Sequence, residues 1–460
     1  MFKPLKSLKV LLFITLTPLL SFAQSPTKTV FVSSNTSGQV GVFNLQDGNT
    51  SLTAFTAGGQ DADGIAYTPD GSLYQVNRSS NAVESYGLVD IMLNSGIPPN
   101  VVHSSTDGFY GFNFSNGRGI AVEKDKIVVA QDATSMNGGN RFIVYDINTF
   151  GAIDFNKTLE VEINLWGIDL IDGNLYAVAD NTNKIAIFKN FCDNIVNPDG
   201  IIVPITGTGS SLGSTGTGVS ADATVAVTGL VRTHGIAYIA ELDLMLLTDI
   251  GSAGNASDGA IFVIYNFKSV AADGVIRRSE YIRIGGSNTG LGNPVDIDYC
   301  PADQRIYIAE RASGGGKLLA FNLPTKGSSG GNIPPAISAG FPGASSVAVG
   351  ANRIDRWGGH LSENFNTQGQ INAANSVLDW SIYPNPAVDN LQISWQQAKE
   401  STRLFLRVID TEGQEVARQS VDASVGLNTF NLDIANLPTG VYRFIVESKD
   451  DQFTETFIKL

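Results

Sequence analysis

The 460-residue chain carries 30 Lys and Arg against 44 Asp and Glu, a formal charge of -14, and such a surface repels phosphate backbones, which argues against nucleic acid as a partner. With 43% hydrophobic residues, 16% charged residues and 49 glycines, the composition is that of a folded, strand-rich protein and not of a disordered one.

At the start, Lys3, Lys6 and Lys9 precede an apolar run at 10–20, and Ser21-Phe22-Ala23 offers small residues for cleavage. Residues 1–23 therefore read as a secretory signal peptide. The run is too short to cross a bilayer, and no later segment reaches the roughly 18 to 20 apolar residues of a membrane helix. An exported chain without a transmembrane segment is expected. Cys192 and Cys300 fall at unlike positions of the repeat that follows, which predicts two separate, buried thiols.

From residue 24 to 355 one phrase recurs. It reads Asp63-Gly64-Ile65-Ala66, Arg118-Gly119-Ile120-Ala121, Trp166-Gly167-Ile168-Asp169 and His234-Gly235-Ile236-Ala237, with degenerate copies at Asp296-Ile297 and Ser346-Val347. Successive anchors lie 55, 48, 68, 61 and 50 residues apart, the period of propeller blades with loop insertions. Each of the first five is followed by two alternating runs, clearest at 175–180 and 184–188, and period-two alternation supplies side chains to the spaces between stacked sheets. The sixth lacks such runs, but 31–34 and 40–43 supply them, so the expected fold is a six-bladed β-propeller closed by its N- and C-terminal strands. The glycine of each phrase predicts close backbone approach at the axis. The Gly-, Ser- and Thr-rich stretch 205–220 reads as a surface loop between the third and fourth phrases.

These phrases resemble the six-bladed propellers of the NHL and gluconolactonase-like type. That resemblance covers about 320 residues and implies architecture rather than activity. In such a topology two rings of residues surround one mouth of the axial channel. The first ring is Asp63, Arg118, Trp166, His234, Val295 and Ser345; Asp63, Arg118, Trp166 and His234 are the candidate ligand-binding residues, suited to a sugar or peptide. The second ring is Asn77, Asp132, Asp180, Asp249 and Glu310, whose simplest reading is bonding to turn amides. Gluconolactonase-like enzymes hold a divalent metal with Glu, Asn and Asp near this mouth; only Asp63 of the first ring is such a ligand type. Asp249, Asn255 and Asp258 are weak candidates for a divalent cation such as calcium, without EF-hand spacing. His103 and His360 lie in expected loops.

Residues 356–379 lose the repeat and read as a linker. From 380 to 460 short strands return, predicting a small Ig-like β-sandwich. Tyr383-Pro384-Asn385-Pro386, then Val408-Ile409-Asp410-Thr411-Glu412-Gly413, then Leu437-Pro438-Thr439-Gly440-Val441-Tyr442, and finally Phe457-Ile458-Lys459 stand in the order of the C-terminal sorting domain of type IX secretion cargo, which this segment resembles. The resemblance implies the type IX machinery as partner and passage through the periplasm to the cell surface or medium. The all-β chain is thus expected to be an exported binding or interaction module with a polysaccharide or protein ligand. A metal-dependent hydrolase or lyase of the gluconolactonase-like kind is the alternative, and a structural part of a surface assembly a second one.

Overall fold

The computed structural model describes residues 28–460 except 47–48, 69–70, 88, 95, 107–113, 136, 148–151, 193–216, 253–254, 313–314, 351–376, 384–386, 398–402, 411–413, 423–425 and 448–451. The signal peptide, His360, most of the linker and of the 205–220 loop, and Pro384, Asn385, Pro386 and Gly413 lie outside the described residues.

The first part of the chain is all-β and propeller-like, with six sheets among the described residues. Numbered by their inner strands in chain order, blade 1 runs Ala62–Tyr67, Leu73–Asn77, Ala82–Tyr86, His103–Ser104, and blade 2 runs Gly117–Glu123, Lys126–Gln131, Arg141–Ile147, Ile153–Val161. Blade 3 is Leu165–Ile171, Asn174–Ala179, Lys184–Phe188, Ala223–Val227; blade 4 is Thr233–Ile239, Leu244–Asp249, Ala260–Tyr265, Ile282–Gly285. Blade 5 is Pro294–Cys300, Arg305–Glu310, Lys317–Asn322, Ile337–Gly340. Blade 6 takes its inner strand, Ala344–Val349, from late in the chain and its outer three, Lys28–Ser34, Gln39–Gln46 and Asn49–Thr56, from the start. There Val30 pairs with Val349 and Val32 with Val347, antiparallel.

Alternation does in three dimensions what period two requires. In Asn174–Ala179, Leu175 and Ala177 enter the core shared with blade 2, while Tyr176 and Val178 enter the core shared with blade 4. The tight Asp172-Gly173 turn that precedes this strand has φ of 52° and 72°, the left-handed values that such a two-residue hairpin needs.

The inner strands follow one another around the axis, and their glycines set the spacing. A Cβ on Gly64 would sit 2.5 Å from the Arg118 carbonyl oxygen, one on Gly119 2.6 Å from that of Trp166, and one on Gly235 2.8 Å from Asp296 Cα. Side chains complete the seams: Ile65 N donates to Ser346 Oγ (3.0 Å), Tyr238 N to Asp169 (2.7 Å), Val347 N to Asp296 (3.0 Å) and Val349 N to Asp298 (2.8 Å). Each bond carries an inner-strand amide to the neighbouring blade, so buried donors that have no strand partner are satisfied.

Three blades gain a fifth strand that the sequence pattern did not indicate. Thr217–Val219, from the end of the long loop, pairs in parallel with the outer strand of blade 2; Val275–Ile276 does so with blade 3 and Gly330–Gly331 with blade 4. In chain order the 205–220 stretch thus comes between the third and outer strands of blade 3 rather than after that blade. His103 is in the outer strand of blade 1. Cys192 and Cys300 are separate thiols, but only Cys300 is buried; Cys192 is half-buried, with Sγ 4.0 Å from Glu123.

The C-terminal residues form two further sheets around one core. One contains Val377–Tyr383, Asn390–Gln397 and Gly426–Asp433; the other contains Glu415–Asp422, Arg403–Ile409, Gly440–Glu447 and Gln452–Lys459. Trp395, Leu406, Val408, Phe444 and Phe457 fill the space between them. The first strand begins at Val377, three residues ahead of the start expected from sequence.

Gly119→Ala should lower stability by about 1–3 kcal/mol, the cost of overpacking against backbone. Gly340→Ala, where a Cβ meets nothing within 4 Å, should change it by less than about 0.5 kcal/mol. Urea unfolding of the two variants measures the difference.

Candidate functional site

All six inner strands shift register against their second strands just where the first ring sits, at 62–65, 117–120, 165–168, 233–236, 294–296 and 344–346. Such bulges re-aim side chains. Asp63, Arg118, Trp166, His234 and Ser345 are brought together here, but onto one another instead of around an open channel. Val295 is buried in the core with Tyr307.

Asp63, 2% exposed, is the hub. Arg118 Nη1 lies 3.0 Å from its Oδ2 and Arg311 Nη2 3.1 Å from its Oδ1. Arg78 Nη1 is 3.7 Å away, and the Ser345 hydroxyl donates to Oδ1. The Arg118 guanidinium then spreads over the Trp166 ring at 4.1 Å, and Trp166 stacks on His234 with centroids 3.8 Å apart and planes at 12°. His234 Nε2 is 3.0 Å from Asp180 Oδ1, which Arg232 Nε also approaches at 3.3 Å. Arg78, Arg232 and Arg311 were not singled out from the sequence. Their only signal is position: two directly follow a second-ring residue and one lies two residues before His234.

Burial alone would push the Asp63 carboxyl up, but Arg311, Arg118, the Ser345 hydroxyl and Arg78 outweigh it and hold the pKa below its ordinary value. Burial pushes His234 down despite Asp180, and Arg232 and Arg311 add to that, so the imidazole is neutral at pH 7. Burial pushes Asp180 up, and its bonds to His234 and Arg232 more than offset this. In this cluster the Nε groups of Arg78, Arg118 and Arg311 are buried without a hydrogen-bond partner, as is His234 Nδ1, and His234 Nε2 has only its 3.0 Å contact with Asp180.

Two small spaces lie along the axis below this plug. One cavity of about 30 Å³ is lined by Gly64, Gly119, Gly167, Asp296 and Ser346, and another of about 60 Å³ by Ile120, Ile168, Ile236, Asp169 and Asp298. Since a water occupies about 30 Å³ in the liquid, these spaces suit a water or two each.

Second-ring residues bond to turns. Asp249 accepts from Val231, Arg232 and Gly251 amides, Glu310 from Gly292, Asn293 and Ala312, Asn77 from Ser79 and Ser80, and Asp180 from Asn181. Asn116 Nδ2 donates to Asp132. In the 249–258 loop, Asn255 accepts from the Ser257 amide and Asp258 from that of Ser252. A divalent metal of the gluconolactonase-like kind does not fit this mouth, because Asp63 is already held by Arg118 and Arg311, whose charges oppose a cation. Among the described residues no three His, Cys, Asp or Glu side chains are grouped as ligands.

Residues 381–460 match the secretion system C-terminal sorting domain. The chain ends in a type IX sorting domain. It is therefore exported by that system to the cell surface or extracellular space. The motif's first and last phrases meet: Ala387 N donates to the Ile458 carbonyl and Leu460 N to that of Ala387, both at 2.8 Å. Tyr442 stacks on Phe457 and donates to the Pro438 carbonyl, Gly440 pairs with Lys459, and Lys459 is buried; Tyr383 ends the strand before the prolines. Among solved structures, the chain is similar to a periplasmic gluconolactonase of Pseudomonas aeruginosa, with 12% identity, TM-score 0.46 and coverage of 70% of this chain and 99% of that one. A protein in a nidogen/laminin complex shows 12% identity, TM-score 0.44 and coverage of 70% and 98%. A putative 6-phosphogluconolactonase of Bacteroides uniformis shows 11% identity, TM-score 0.41 and coverage of 88% and 100%. No curated protein matches the chain. Among the described residues no helix is long and apolar enough to cross a membrane.

Deleting 381–460 should leave the protein in the periplasm, as read by immunoblot of cell fractions; delivery of the truncated chain to the surface or medium would contradict this. A second outcome concerns pH. Burial, chiefly, pushes Asp296 up to about 6 although Ser346 and the Val347 amide bond to it. The folded chain then holds a proton that the unfolded chain has released, so stability falls as pH rises from about 4 to 6. Asp63 acts oppositely: its contribution is present above its unfolded value and is lost as pH falls through the lowered folded value. Urea midpoints across pH should lose the first slope in Asp296→Asn and the second in Asp63→Asn.

Proposed function

We propose that the propeller is a surface-exposed binding module and that its ligand lies across the plugged mouth, not inside the channel. The observation that carries this is the interlocked Arg118, Trp166 and His234 stack over Asp63, with axial spaces of about 30 and 60 Å³ beneath it. A pocket that engulfs a small molecule has roughly 300–1,000 Å³. A pre-ordered, shallow face suits an extended ligand instead, such as a polysaccharide chain or a protein surface.

Arginines give this face its chemistry. The side chains of Arg78 and Arg232 are 24% and 30% exposed while their inner contacts are fixed, so their remaining N–H groups can meet carboxylates with little loss of freedom. A carboxylate-bearing polymer is the ligand class best matched. A lactone hydrolase is less well supported, since its metal would have to displace Arg118 and Arg311 from Asp63.

Trp166 and His234 are poor test positions because each props the other. Arg78→Gln together with Arg232→Gln should reduce retention on immobilised polyuronate or acidic peptide by about tenfold or more, equivalent to ~1.4 kcal/mol, at a temperature where circular dichroism shows the variant folded, since its Tm falls with the loss of partners for Asp63 and Asp180. Unchanged retention, measured by surface plasmon resonance, would overturn the assignment of the site.

A further inference from the structure

Natural sheets blunt their outer edges, because a long row of unpaired amides and carbonyls recruits another strand. Five blades here follow that rule. Their outermost described strands are His103–Ser104, Thr217–Val219, Val275–Ile276, Gly330–Gly331 and Ile337–Gly340, of 2, 3, 2, 2 and 4 residues. In blades 2, 3 and 4 the outermost strand is a cap, sent back by the connection between third and fourth strands of the following blade.

Blade 6 breaks the rule. It ends in Asn49–Thr56, eight residues paired along their whole length with Gln39–Gln46, and no described strand is bonded to the other edge. The connection of blade 1 that would supply the cap forms the helix Val89–Asn94, whose Val89 packs into the core with Phe55 rather than beside the edge. The sequence Asn-Thr-Ser-Leu-Thr-Ala-Phe-Thr contains neither charge nor proline, the usual guards, and three of its residues are β-branched. Thr50, Ser51, Leu52, Thr53, Ala54 and Thr56 are all exposed, and Leu52, at 45%, is one of few large apolar side chains so placed.

We propose that this edge pairs with the same strand of a second copy, joining blade 6 to blade 6 across a two-fold axis. Antiparallel self-pairing lets outward amides meet outward carbonyls only if one residue stands opposite itself. Centring on Leu52 opposes 49 with 55, 50 with 54 and 51 with 53, so the two exposed leucines meet and no like charges are opposed. That self-complementarity favours a second copy over a foreign strand. One strand pair covers less than the roughly 800 Å² per partner of a standard stable interface, so the dimer is weak and reversible. The full sequence carries a formal charge of -14, and each copy is more acidic still once the three lysines of the signal segment are removed, so added salt, by screening their repulsion, strengthens it. A contact built on ion pairs would do the reverse.

Sedimentation velocity of the full secreted chain over a concentration series tests this. The wild type should show a monomer–dimer equilibrium that tightens between low and high NaCl. Leu52→Lys and Leu52→Glu should each weaken self-association at least tenfold by opposing like charges. An equimolar mixture of the two should recover a dimer, which also shows that both variants are folded. A wild type that stays monomeric throughout, a dimer insensitive to Leu52→Lys, or a mixture that stays monomeric would overturn the proposal. A wild type that dimerises only at low salt would do so as well, by assigning the contact to another face.

Discussion

The close approach of inner strands at Gly64, Gly119, Gly167 and Gly235 is the constraint on which the rest depends. With no Cβ between them, the inner strands of blades 1 to 5 come into backbone contact, and Asp169 adds a bond between blades 3 and 4, while Asp296, Asp298 and Ser346 bond to amides across the two seams of blade 6, where no such glycine stands. Those seams leave the axis room for little more than water. Bulges beside these glycines, and at the same place in blades 5 and 6, aim Asp63, Arg118, Trp166 and His234 at one another and so form the plugged mouth.

Within the plug, charge and stacking support each other. Asp63 is buried yet ionised because guanidinium groups converge on it, and removing one partner of such a group leaves an uncompensated buried charge. Arg118 is held at one end by this carboxylate and at the other by Trp166, which fixes the indole against His234. Order is therefore built in before any ligand arrives, and a ligand laid across the face loses less conformational freedom on the protein's side.

Much of this was legible because it repeats. The Gly-Ile-Ala phrases located the inner strands, the alternating runs located second and third strands, and the second-ring residues bond to turn amides, some within two or three residues and others 17 or 18 residues away. The first ring's convergence was legible too, but not its collapse: Arg118 and Arg311 reach Asp63 across 55 and 248 residues of sequence, on side chains long enough to cross a blade boundary. Arg78, Arg232 and Arg311 lie outside the repeated phrase. The short parallel caps have no pattern that two or three residues can carry, and Asn49–Thr56 lacks the apolar alternation of the other strands because Thr, Ser and Asn dominate it. In the tail, the sorting motif was legible as four phrases in order, whereas the meeting of Ala387 with Ile458 and Leu460 is a long-range bond that no local pattern announces.

The address resides in the C-terminal sheets, and the binding face we propose lies in the propeller. Amide hydrogen exchange tests the central constraint most directly. Ile65, Tyr238, Val347 and Val349 amides, bonded across blade seams, should exchange only with global unfolding, and the inner strand of blade 6 should be as protected as those of blades 1 to 5. Fast exchange at 344–349 while the other inner strands stay protected would contradict the mutual locking of inner strands around the axis.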